Sequence, residues 1–168
     1  MLGIWTAWDV NVAPVQAIVR GAGRALRMDV RTFEYRLQRS PAFGRELKRY
    51  AYCLMSQLAQ MAVCARYHLI EARLARMILM ISDGAHSDEL PVTQEFIASL
   101  LAVRRVSITT AARSLQKRQL ISYHRGALSI LNRPGLEEAS CSCYLEGHET
   151  HGRIMGNRIL SARGAWQK

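Results

Sequence analysis

A mainly α-helical fold with one small β-hairpin is the class this sequence predicts, and three observations carry it. Leu47, Ala51, Leu54, Leu58, Met61 and Ala65 recur at alternating spacings of four and three residues, the seam spacing of a coiled coil. Two short segments of helical period, about 93–101 and 105–117, carry small residues where two helices would cross. Two alternating runs, Gln119–Tyr123 and Ala127–Leu131, flank His124-Arg125-Gly126 and read as a hairpin with a basic tip.

The chain has 168 residues, room for one ordinary domain or two small ones, and its hydrophobic content of 49% is enough for a core. Lys and Arg number 23 against 13 Asp and Glu, a formal charge of +10, which suits a polyanionic partner without separating DNA from RNA or an anionic membrane. The longest apolar stretches, such as Met77–Ile81, fall far short of the ~20 residues that span a bilayer, and the N-terminus shows no basic-then-apolar signal pattern. The expectation is a cytoplasmic protein with no membrane partner. Cys53, Cys64, Cys141 and Cys143 form no CxxC pair, and a reducing compartment keeps them as thiols, so no structural disulfide is expected.

Residues 1–39 read as short strand-like pieces broken by glycine: Val15–Arg20, then Gly21-Ala22-Gly23, then Arg24–Met28. So few strands cannot close a sheet and must pack on something else or be poorly ordered. Ser40-Pro41 starts a long helix, because Ser accepts from the first free amides and Pro fits the first helical position. Its narrow seam can be buried within the chain or against a second copy; with little nearby to cover it, a parallel homodimer is the expectation. Cys53 and Cys64 lie near one face of this helix and read as buried small thiols. A second helix, about Leu69–Ser82, completes a unit over 40–83.

Asp88–Val92 is an extended lead-in, Thr93 an N-cap, and Glu95 an acid in the first turn of a helix running to about Leu101. Ala102–Arg105 supplies a turn into a helix from about Arg105 to Lys117, whose Ile108, Ala111, Ala112 and Leu115 face inward. Helices so joined make a helix-turn-helix, and the hairpin after it is the expected wing, giving a domain over 84–146. The outer face of the second helix shows Arg104, Arg105, Val106, Ser107, Thr109, Thr110 and Arg113, where they can reach a major groove. Arg104, Thr109, Arg113, Lys117, His124 and Arg125 are placed at phosphates, and Arg118 can add to that contact.

The stretch DELPVTQEFIASLLAVRRVSITTAARSLQKRQLISYHRGALSILNRPGLEEASCSCY resembles the C-terminal DNA-binding domain of the Crp/Fnr family, and the resemblance extends back to about Val15. It implies a homodimeric transcription regulator clasped by the long helix, with two recognition helices in successive major grooves of a palindromic double-stranded site, and RNA polymerase as a further partner. Residue by residue, it places Arg105, Val106 and Thr110 at base contacts with Ser107 close by, and Gln94 at a phosphate. Three departures stand out. Val106 and Thr110 lack the charged groups of the best-known members; Ala102 stands where the family has a turn glycine; and of the effector-binding β-roll only closing strands at about Val15–Met28 are expected, so residues 1–39 read as its remnant. No effector pocket, cluster cysteines or other cofactor is expected.

Cys141-Ser142-Cys143 with His148 and His151 fits no standard metal spacing and reads as incidental, and Ser107 with His124 is the nearest thing to a catalytic pair, so no enzyme is expected. Residues 147–168 read as a flexible basic tail. The rival reading is an interaction protein: a truncated regulator that pairs with and antagonises full-length relatives, or a winged helix used for protein contact.

Overall fold

The computed structural model describes residues 1–17, 19, 24–124 and 126–156. A 3-10 turn, Ile4–Trp8, precedes α1 (Val30–Arg39), α2 (Pro41–Tyr67) and α3 (Ile70–Ala85). β1 (Glu89–Leu90), α4 (Gln94–Leu101), α5 (Arg105–Lys117), β2 (Ile121–His124) and β3 (Ala127–Ile130) follow, then α6 (Arg133–Ala139) and α7 (Cys143–Met155). The fold is mainly helical with one small antiparallel sheet, ordered β1-β3-β2.

Expected strands over residues 1–39 are absent among the described residues, where the regular elements are the 3-10 turn and α1. Ile18, Arg20 and Gly21–Gly23, part of the expected Val15–Arg20 strand and its glycine break, lie outside the described residues. The physical reason favours a helix: Asp29 caps α1 by accepting from the Thr32 amide at 2.9 Å and hydroxyl at 2.7 Å, which holds its carboxyl below the usual range. Val30, Phe33 and Leu37 then repeat on a helical period, and a lone strand would have had no edge to pair with.

α1 changes the fate of the coiled-coil seam. Ser40 ends α1 and caps α2, accepting from the Phe43 amide at 3.2 Å, so a single extended residue separates the two helices, with Pro41 in the first turn of α2. Phe33 and Phe43 pack edge to face with ring centres 5.6 Å apart. Ile4, Phe33, Leu47 and Ala51 form a small core with Leu37, Tyr50 and Leu54 around it. Two of the six seam positions, Leu47 and Ala51, are therefore covered within the chain. Leu58 and Met61 stay 58% and 40% exposed, Ala65 is exposed, and Leu54 is half-buried at the boundary.

The main core is built on α3, whose Leu74, Ala75, Ile78 and Leu79 are all but fully buried. They meet Ile97 and Leu101 of α4, Ile108 and Leu115 of α5, Ile121 and Leu128 of the sheet, and Leu136 of α6. Residues 147–155, expected in a flexible tail, are helical: α7 packs along α2, where Gln60 Nε2 donates to Glu146 Oε2 at 2.9 Å. The rest of the expected tail, 157–168, lies outside the described residues.

One polar network closes this assembly. Asp83, at the end of α3, accepts from Arg133 of α6 and from the Tyr144 hydroxyl of α7 at 2.9 Å, and pairs with His148 Nε2 at 2.9 Å. Arg133 also donates to Ser82 Oγ at 3.0 Å and Glu137 Oε1 at 3.1 Å, and reaches Asp88 at 3.4 Å. Burial alone would raise the Asp83 carboxyl, but the bonds from His148, Tyr144 and Arg133 outweigh it and hold the group at about 2. A carboxyl held below its unfolded value contributes stability above pH about 4 and loses it as pH falls toward 2. The unfolding free energy from urea titrations should therefore fall by about 2 kcal/mol more between pH 5 and pH 2 for the native chain than for Asp83→Asn, which should itself unfold about 2–3 kcal/mol more easily at pH 7. Parallel acid profiles for the two proteins would remove Asp83 from this role.

Candidate nucleic-acid interface

α4 and α5 cross through Ala98, Ala111 and Ala112, all buried, so the backbones can approach closely. Thr93 caps α4 by accepting from the Phe96 amide at 3.1 Å. At its other end Ala102 takes φ 52° and ψ 48°, while the Val103 amide donates to Ala98 O at 3.0 Å and the Ala102 amide to Ser99 O at 3.3 Å. Such a paired closure places a left-handed residue just past the helix, a position that favours glycine. Arg73 of α3 adds a bond from Nη2 to Leu101 O at 2.7 Å, fastening the turn to the core helix.

α5 consequently leaves the turn with its first residues outside. Arg104 and Arg105 are exposed and Val106 is 74% exposed, whereas Ile108, Ala111, Ala112 and Leu115 are buried on the opposite side. Ser107 is half-buried; Thr110, Arg113 and Lys117 continue the exposed face. Thr110 spends its hydroxyl proton on Val106 O at 3.1 Å, which leaves its methyl and its lone pairs outward. Thr109 turns back toward α4 and donates to Gln94 Oε1 at 2.6 Å, so the acceptor end of that amide is engaged and its NH2 end is left over.

The wing joins the same side of the molecule. β2 and β3 pair from Ile121↔Ile130 to His124↔Ala127. Gly126 turns the chain at φ +85°, and a Cβ on it would sit 3.7 Å from Thr93 Cγ2, so the hairpin tip lies beside the start of α4. Tyr123 donates to Val92 O, locking β2 to the link between β1 and α4. His124 is exposed; Arg125 lies outside the described residues. Arg105 Nε stands 3.8 Å from Glu95 Oε2, both side chains well exposed, a contact that water screens and a stronger anion can replace.

The start of α4, the start of α5 and the wing thus share one face, with Arg104, Arg105, Gln94 and His124 on it. Arg118, grouped with Lys117 in the sequence, is instead 3.1 Å from Glu71 of α3. Sequence reasoning missed the roles of Arg73 and Tyr123, because a carbonyl cap from another helix and a strand-to-loop hydroxyl bond leave no local spacing to read.

Two helices in this relation, backed by a third and followed by a β-hairpin, make a winged helix-turn-helix, the architecture of a DNA-binding transcription regulator. Residues 72–139 match the family described as the Crp-like helix-turn-helix domain. Four solved chains match as well. One of them, a transcriptional regulator assigned to the crp/fnr family from Eubacterium rectale, is 23% identical with a TM-score of 0.48, the match covering 66% of this chain and 51% of that one. The chain thus spans about half the length of that structure. No curated protein matches it.

Because Ala102 carries a left-handed backbone at which a Cβ is penalised, Ala102→Gly should raise stability by roughly 1 kcal/mol, about 3 °C in Tm. A melting curve unchanged or lowered by the substitution would show the turn to be unstrained.

Proposed function

We propose that the chain binds duplex DNA as a homodimer, with α5 in the major groove and the wing and the start of α4 on the flanking backbone. The observation that carries this reading is the exposed, arginine-led first turn of α5, set apart from a helix whose other face is buried in the core. Arg105 reads a base edge, with guanine its best partner through paired donors. Val106, with a bare apolar side chain, and Thr110, with its methyl and lone pairs outward, suit a thymine methyl or a donor on a base; Ser107 supplies a further hydroxyl beside them. Gln94, Arg104, Arg113, Lys117 and His124 meet phosphates, joined by Arg125, and Thr109 acts chiefly by orienting the Gln94 amide.

Dimerisation is assigned to the uncovered part of α2, where Leu58, Met61 and Ala65 continue the stripe that Leu54 begins. Leu47 and Ala51, which the seam spacing also pointed to, support this face from beneath. A palindromic site follows from the twofold relation of the copies.

Affinity for mixed-sequence DNA should fall steeply with salt, by about 10³-fold or more between 50 and 200 mM if six phosphates are neutralised. A flat response would favour the protein-contact reading of the winged helix. Arg105→Ala should lose about 1–3 kcal/mol of preference for a site selected from random DNA while keeping most non-specific affinity; an unchanged preference would take Arg105 out of base reading. Leu58→Glu should convert the dimer to a monomer in sedimentation velocity with the helical content retained. A sedimentation profile the same as the native chain's would place the dimer contact elsewhere.

A further inference from the structure

Three of the four cysteines converge where α2 meets the start of α7. Cys64 comes from the last turns of α2, Cys141 from the link after α6, and Cys143 from the first residue of α7. All three are buried at 5% exposure or less, and their sulfurs lie within 4.8 Å of one another, with Cys64 Sγ and Cys141 Sγ 3.5 Å apart. Spacing along the chain hides this set, because Cys64 stands 77 residues before Cys141. The histidines first weighed with Cys141 and Cys143 do not join it; His148 is held on Asp83.

We propose that Cys64, Cys141 and Cys143 form a three-thiolate binding site for a single soft metal ion, Cu(I) in preference to Zn(II). The size fits: a metal–sulfur bond of about 2.3 Å puts the sulfurs of a trigonal site about 4.0 Å apart. The atoms need shift only by tenths of an ångström from their present separations. Donor chemistry points the same way, since thiolates select soft ions, and structural zinc sites close with four ligands where the described residues here offer three. Cys53, the fourth cysteine, is buried on α2 but is not part of the set.

Each thiol that binds gives its proton to solvent, and no electron is transferred. Occupancy would tie the far end of α2 to the link between α6 and α7, joining the helix that carries the exposed apolar stripe to the end of the winged domain. This site stands on the sulfur geometry and does not depend on the DNA-binding reading.

The experiment loads the reduced full-length chain anaerobically with Cu(I), in competition with a coloured Cu(I) chelator, and separately with Zn(II) under the same conditions. One equivalent of Cu(I) per chain should be retained against the chelator, with Zn(II) held more weakly. Cys64→Ala, Cys141→Ala and Cys143→Ala should each weaken Cu(I) by more than the roughly 10–100-fold that loss of an outer-shell partner brings, and Cys53→Ala should leave it unchanged. X-ray absorption of the loaded native chain should show three sulfurs near 2.3 Å and no nitrogen or oxygen, a readout independent of whether the variants fold. No retained copper, a first shell containing nitrogen or oxygen, or full binding by Cys141→Ala would overturn the site; tighter zinc than copper would overturn the choice of ion.

Discussion

The fold turns on how a single arginine, Arg133, is held. Its guanidinium gathers Asp83 and Ser82 from the end of α3, Asp88 from the lead-in to β1, Glu137 from its own helix and the Tyr144 hydroxyl from α7. Charge of this kind is costly to bury unless nearly every donor finds an acceptor, and here all three guanidinium nitrogens do. Tyr144 is pushed up to about 12, by burial first and then by the Asp83 carboxylate, against the lowering pull of Arg133, so its hydroxyl stays a donor at any ordinary pH. Elements far apart in sequence are thereby fixed around α3, and α3 in turn fixes the helix-turn-helix through its apolar face and the Arg73 cap.

That dependence explains what was readable from residues alone. α5 runs from Arg105 to Lys117 as its pattern predicts, because an amphipathic period, inward alanines and a turn all sit within a few residues of one another. The hairpin was legible for the same local reason. α1 was not: the eye follows the glycines and β-branched residues before it, while the Asp29 cap and the Phe33, Leu37 period are fainter. The cover of Leu47 and Ala51 depends on α1 and is equally invisible to local pattern. α7 was lost in a similar way; glycine and histidine weaken its helical signature, and its stability comes from packing along α2 and from Tyr144 and His148 reaching Asp83.

The candidate site divides along the same line. Exposure of Arg104, Arg105 and Val106 follows from the period of α5, whereas the engagement of Thr109 with Gln94 and of Tyr123 with Val92 follows from how the helices cross and was not visible beforehand. The cysteines are the extreme case. Cys141 is driven up to about 12, by burial first and then by Cys64 and Cys143, which is the signature of thiols packed together rather than scattered.

The shortened stripe on α2 carries a last consequence. With Leu47 and Ala51 already spent on α1, only the stretch from Leu54 to Ala65 is open to a second copy, about three helical turns. If two copies pair through this stretch as proposed, a contact so small would leave the dimer exchanging with monomer at low concentration, and twin half-sites on one duplex would raise the local concentration of the second subunit. Occupancy would then climb more steeply than in proportion to the amount of protein, a threshold behaviour set by how much of one helix the N-terminal turn and α1 conceal.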